Sequence, residues 1–124
     1  MTYTAHEIHG KYGVRLRYMP YAQAGWLREK EDNYFTMVSY SSRIFTAHIT
    51  ASGVEEISTR NADAAIIYSR TTSRQVTMAM CEIGLTDSTI ARLKKWFTSN
   101  PAHVTAVYTG RGEWVDGCTG EVIC

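Results

Sequence analysis

The chain changes its hydrophobic period near residue 70, and that change constrains the fold more than any other feature. Before it, short runs alternate apolar and polar residues and are cut by tight-turn residues. After it, apolar residues recur at three- and four-residue spacing. Alternation fills one face of a strand, whereas the longer spacing fills one stripe of a helix. Short strands joined by tight turns build an antiparallel meander. The pattern predicts an α+β chain: an antiparallel β-meander of about five strands, then two helices, then a C-terminal β-hairpin.

The clearest alternation runs over residues 11–18. Tyr12, Val14, Leu16 and Tyr18 point one way; Lys11, Gly13, Arg15 and Arg17 point the other. This reads as a half-buried strand with a basic outer face. Residues 21–32 read as a connector with a helical turn at Gly25, Trp26, Leu27 and Arg28. Further strands are expected over 34–40, 43–50, 54–59 and 64–69, with turns at Ser41-Ser42, Ser52-Gly53 and Asn61-Ala62-Asp63. In the first helix Val76, Met80 and Ile83 share a face, and Gly84 supplies the stop. Thr86 or Asp87 caps the second. Its core stripe is Ile90, Leu93 and Phe97, with Arg92, Lys94 and Lys95 mainly outward. The hairpin spans 103–109 and 113–115 across Gly110-Arg111-Gly112.

A length of 124 residues suits a single domain over 1–124, able to bury a core without metal or disulfide. The net charge of +1 makes the whole-protein field weak and argues against general coating of DNA. Cys81, Cys118 and Cys124 are odd in number and form no CxxC pair, so a disulfide framework is not expected. A reducing cytosol suits that pattern. The first residues lack an apolar signal segment, and no run approaches membrane-spanning length. A cytoplasmic protein without a membrane partner is expected.

No catalytic constellation stands out. A glycine-rich phosphate loop is missing. His6 and His9 are three apart, but a zinc site needs about four ligands, so they read as surface histidines. Glu55 and Glu56 are adjacent on a strand and face opposite ways, which makes them surface charge. The expectation is therefore no enzyme, no catalytic residue, no metal and no cofactor.

The stronger signal is the helix start around Tyr68-Ser69-Arg70-Thr71-Thr72-Ser73-Arg74-Gln75-Val76. Three hydroxyls sit where an N-cap belongs, with an arginine on each side. A helix start leaves N–H groups without internal partners and carries partial positive charge. Thr71, Thr72, Ser73 and those N–H groups suit a phosphate, with Arg70 or Arg74 pairing to it. Plain capping beside two solvated arginines accounts for the same residues. The second signal is Arg111 at the hairpin tip. Trp114, with Trp96 and Phe97 at the helix end, suits stacking on a base. A tight turn whose aromatics cover the core explains these equally well. Arg60-Asn61, at a strand end, is a third candidate. Arg15, Arg17 and Arg43 join one basic face if the first and third strands are neighbours, which would suit a nucleic acid.

The stretches Ser39-Tyr40-Ser41-Ser42-Arg43-Ile44 and Tyr68-Ser69-Arg70-Thr71-Thr72-Ser73-Arg74 resemble a motif pair in small proteins of bacteriophages and mobile elements. Gln75 stands where that pattern has histidine. The size and order of elements are also similar to the anti-Thoeris signal-sponge proteins of phages. The resemblance implies an oligomer that sequesters a cyclic nucleotide or cyclic ADP-ribose-type immune signal without cleaving it. The expected ligand residues are then Arg70, Thr72, Ser73, Arg74, Trp96, Phe97, Arg111 and Trp114, with a homo-oligomer burying the ligand. The alternative is a small phage protein that binds a host protein or nucleic acid through its basic, tyrosine-bearing sheet face.

Overall fold

The structure is a computed structural model that describes residues 14–16, 18, 19, 23–29, 33–100 and 104–124. The expectations for His6, His9, Arg17 and the first residues of the opening strand lie outside those residues. Among the described residues, seven strands form one antiparallel sheet in chain order. They are β1 Val14–Arg15, β2 Ala24–Arg28, β3 Tyr34–Ser39, β4 Ser42–Thr50, β5 Gly53–Ser58, β6 Thr105–Tyr108 and β7 Trp114–Asp116. Helices α1 Arg70–Glu82 and α2 Asp87–Ser99 leave the sheet after β5, and β6 returns to pair beside β5. The α+β architecture is the one the period change implies.

Cross-strand register explains why the sheet has one dry face. Trp26 pairs with Met37, Met37 with Phe45, Phe35 with Ala47, Ala47 with Ile57 and Ile57 with Ala106. Directly opposed residues share a face, so these apolar side chains form one continuous layer. All seven registered positions in that layer (Trp26, Phe35, Met37, Phe45, Ala47, Ile57 and Ala106) are at most 1% exposed. Val76, Ala79, Met80, Ile83, Ile90, Leu93 and Phe97 of the two helices join the same core cluster. Trp26 meets Phe45 edge to face at 5.7 Å. Leu93, fully buried, contributes enough that Leu93→Ala costs about 2–5 kcal/mol.

Two elements differ from the sequence pattern. Residues 24–28 form β2 and not a helical turn, because Trp26 is paired on both sides, with Val14 and with Met37. Two ladders of backbone hydrogen bonds outweigh a weak local preference. Residues 64–69 form turns and not a strand. Asp63 and Ala64 donate their N–H groups to the Arg43 carbonyl, and Tyr68 N–H donates to Ala65 O. The place beside β5 that such a strand would take belongs to β6. Of that apolar run Ile66 is buried at 3% exposure and Ala64 packs partly buried against the core, while Ile67 is 49% and Tyr68 76% exposed. The strand gained and the strand lost cancel, so five strands still precede the helices.

The β3–β4 connection is also shifted. Tyr40 and Ser41 form the two-residue turn, both with positive φ (49° and 69°), and Ser39 pairs with Ser42. The second helix starts on Thr86, whose hydroxyl accepts from Thr89 N–H, and Gly84 breaks the chain between the helices with φ +99°. No helix among the described residues is long and apolar enough to cross a membrane.

Candidate functional site

Two stretches about 25 residues apart are pinned together at one end of the molecule. On the helix side of the sheet, the Ser39 hydroxyl donates to Gln75 Oε1, joining the end of β3 to the second turn of α1. At the start of β4, Arg43 N–H donates to Asp63 Oδ2 over 3.1 Å. The Arg43 carbonyl accepts from Asp63 N–H and Ala64 N–H, at 2.8 and 3.3 Å. The β3–β4 turn and the mouth of α1 therefore form one surface. It presents Tyr40, Tyr68, Arg70 and Arg74, all exposed, while the Arg43 side chain belongs to the opposite face of the sheet.

Positive charge prevails on this surface, set against the exposed Asp63 carboxylate. The first turn of α1 holds no acidic residue. Arg43, Arg70 and Arg74 make no ion pair with a described residue. A helix start adds partial positive charge to theirs. Tyr40 is 60% and Tyr68 76% exposed, so both rings are open to a stacking partner. Tyr40 also sits in a left-handed conformation that bulky residues rarely hold, in a turn that glycine or asparagine would occupy with less strain.

The helix mouth is built differently from the sequence expectation. Ser69 is the N-cap, and not one of the three hydroxyls that follow it. Its Oγ accepts from Thr72 N–H and donates to Thr72 Oγ1, both at 3.1 Å. Thr72 is 4% exposed and faces inward. Ser73 Oγ accepts from Lys94 Nζ at 2.7 Å. Both hydroxyls are thus engaged within the fold. The mouth offers the Arg70 and Thr71 N–H groups, which precede the first intrahelical bond from Ser73 N–H to Ser69 O.

The remaining candidates are dispersed. Trp114 is 4% exposed and belongs to the core, packed on Tyr108 at 5.4 Å. Phe97 is 5% exposed and lines an apolar groove of about 230 Å³ with residues of the 62–67 turn. Trp96 is half-buried on another recess. Arg111 is exposed at the hairpin tip, held by Gly112 N–H donating to Tyr108 Oη at 3.0 Å. The structure thus brings Arg70 and Arg74 together, and places Trp96, Phe97 and Trp114 on other parts of the fold. The aromatics at the helix mouth are Tyr40 and Tyr68. Their signal in sequence was a tyrosine beside a serine at each presumed strand end.

On the sheet face away from the helices, Arg15, Gly25, Val38 and Arg43 stand in one cross-strand row. Two strands separate the arginines, so the expected neighbouring strands are not adjacent. Three inter-strand steps put their Cα atoms roughly 14 Å apart. Lower on that face lies a recess of about 450 Å³ lined by Glu29, Tyr34, Thr46, Glu56, Ser58, Arg60 and Asn61. Arg60 and Asn61 thus share it with two carboxylates. His48 Nδ1 lies 3.5 Å from Glu55 Oε2, and the His48 ring stacks on Tyr34 at 4.4 Å. No group of three or more metal-ligating side chains occurs among the described residues.

Compared with known proteins, the chain matches no family model, no curated protein and no solved structure.

Proposed function

We propose that this protein binds and sequesters a cyclic nucleotide or cyclic ADP-ribose-type immune signal, as a phage-type anti-defence protein in the host cytosol, and leaves the ligand intact. One observation carries the reading: two tyrosines, 60% and 76% exposed, stand beside Arg70 and Arg74, which make no ion pair with a described residue. Arginine pairs with phosphate through parallel N–H donors, and a tyrosine ring gives a base a flat partner. Arg70 and Arg74 would take the phosphates, and Tyr68 and Tyr40 the bases. A sponge requires no general base and no metal. The surface is open, so tight retention calls for a second copy of the chain closing over the ligand, and a homo-oligomer follows from that requirement.

Isothermal titration with cyclic ADP-ribose isomers and with cyclic di- and trinucleotides tests the reading. The expected result is saturable binding to one of them, weakened by Arg70→Ala and Arg74→Ala, with the ligand recovered unchanged after the protein is denatured. Absence of binding to every one of them overturns it.

A second reading has its own observation. The row from Arg15 to Arg43 places two cations on either side of the small Gly25 on the open sheet face. That row suits the backbone of a nucleic acid or an acidic host protein. Salt-sensitive RNA binding lost in Arg15→Ala, and untouched by Arg70→Ala, would favour it.

A further inference from the structure

The recess that holds Trp96 has a construction of its own. It measures about 430 Å³ and is lined by Arg92, Lys95, Trp96, Ser99 and Ile123. The first four are spaced i, i+3, i+4 and i+7, which is one stripe of α2. Lys94 reaches across to α1, and two residues of helix turn the chain by about 200°. Arg92 and Trp96 therefore face away from α1, and the recess is separate from the α1 mouth.

Both walls are held in place. Trp96 meets Phe97 edge to face at 4.9 Å, which fixes the indole plane. On the other side, the last residues run back along β7 as a strap. Ile123 N–H donates to Trp114 O at 2.7 Å, Trp114 N–H to Cys124 O at 2.9 Å, and Asp116 N–H to Glu121 O at 2.8 Å. Val115 and Val122 form a bridge between them. This sets Ile123 opposite α2. Burial pushes the Cys124 thiol pKa up, and the Arg92 charge opposes that shift.

The lining combines an indole and an isoleucine with two cations and one hydroxyl, and with no acidic side chain. Of the three tryptophans, Trp26 and Trp114 are closed in the core at 0% and 4% exposure, so Trp96 is the one with an accessible ring. A cavity in the range of small-ligand sites, mostly apolar with a few placed polar groups, selects its ligand by shape and head-group. We propose that this recess is a second ligand site, for a single planar ring carrying one phosphate, mononucleotide in size. The ring lies between Trp96 and Ile123, the phosphate sits on Arg92 and Lys95, and Ser99 gives a hydroxyl to the sugar or ring edge.

The site does not rest on the proposed sponge function, and its test keeps the two apart. The probes are adenosine 5′-monophosphate, adenosine and inorganic phosphate, followed by tryptophan fluorescence and calorimetry on the full chain. The monophosphate is expected to quench the fluorescence and bind with one-to-one stoichiometry. Adenosine and phosphate alone should each bind at least about tenfold more weakly, because each lacks one half of the contacts. Arg92→Ala with Lys95→Ala should weaken the monophosphate by about tenfold or more, through loss of charge-assisted pairing. Arg70→Ala with Arg74→Ala should leave its affinity unchanged. Trp96→Phe should abolish most of the quench and keep the binding heat. No binding of the monophosphate, equal binding of adenosine, or loss of binding in the Arg70/Arg74 variant would each overturn the proposal.

Discussion

Lys94 Nζ lies 2.7 Å from Ser73 Oγ, 3.0 Å from the Ser73 carbonyl oxygen and 2.9 Å from Thr77 Oγ1. One ammonium thus ties α2 to the opening turns of α1. The sequence placed Lys94 outward with Arg92 and Lys95; its long stem instead lets it cross to the neighbouring helix. All three contacts are neutral oxygens. Partial desolvation lowers its pKa from the ordinary lysine value.

Replacing Lys94 by methionine should cost about 1 kcal/mol, less than a fully buried charged hydrogen bond because the ammonium keeps part of its solvent. Urea unfolding measures this. The pH dependence has a defined sign. The folded state binds the Lys94 proton less tightly than the unfolded chain, so stability rises with pH between the two values. The gap between the native protein and Lys94→Met should widen as the pH rises toward the ordinary lysine value of about 10.4. A gap that narrows over that range contradicts the assignment.

The cap of α1 is tested by two neighbouring substitutions. Ser69→Ala should lower stability by about 1 kcal/mol, since it removes the acceptor for Thr72 N–H. Thr71→Ala, at an exposed position, should stay within about 0.5 kcal/mol. Thermal melts of both variants decide whether Ser69 or the following hydroxyls start the helix.

Ser39 and Gln75 form a buried polar pair, at 3% and 0% exposure, and Gln75 Nε2 has no hydrogen-bond partner among the described residues. Gln75→Met alone should cost about 1–3 kcal/mol, because it strands the Ser39 hydroxyl. Adding Ser39→Ala should recover most of that loss, as both polar groups are then gone. A double-mutant cycle by urea unfolding reads the coupling. If the two costs simply add, the pair does not couple the hairpin to the helix.

Tyr40 links stability to binding. Its left-handed backbone should make Tyr40→Gly more stable by about 1 kcal/mol. The same change removes an exposed ring from the proposed ligand surface, so affinity for the cyclic ligand should fall. Tyr68→Ala should lower affinity without changing stability beyond about 0.5 kcal/mol. A Tyr40→Gly protein that is more stable and binds as before would place the ligand elsewhere.

The order of elements was legible because period and turn residues act locally. Val76, Met80 and Ile83 declare a helix, and Phe45, Ala47 and Ile49 a strand, whatever surrounds them. Residues 24–28 and 64–69 were not legible in the same way. Both are short apolar runs, and only the strand lying beside each decides its backbone. The pairing of Trp26 with Met37 makes one a strand; the return of β6 beside β5 denies that role to the other. The site divides likewise. Arg70 and Arg74 are one helical turn apart in any α-helix, so their shared face was visible from spacing.

What the chain determined by itself is the set of local elements and the cationic helix start, because spacing along one backbone fixes which side chains share a face. What the tertiary structure decided is which distant residues meet. Trp114 is closed into the core, Lys94 is drawn onto Ser73, and Tyr40 is set on the same surface as Tyr68. Those placements depend on hydrogen bonds and packing between segments far apart in sequence, such as Ser39 with Gln75, and no local pattern encodes them.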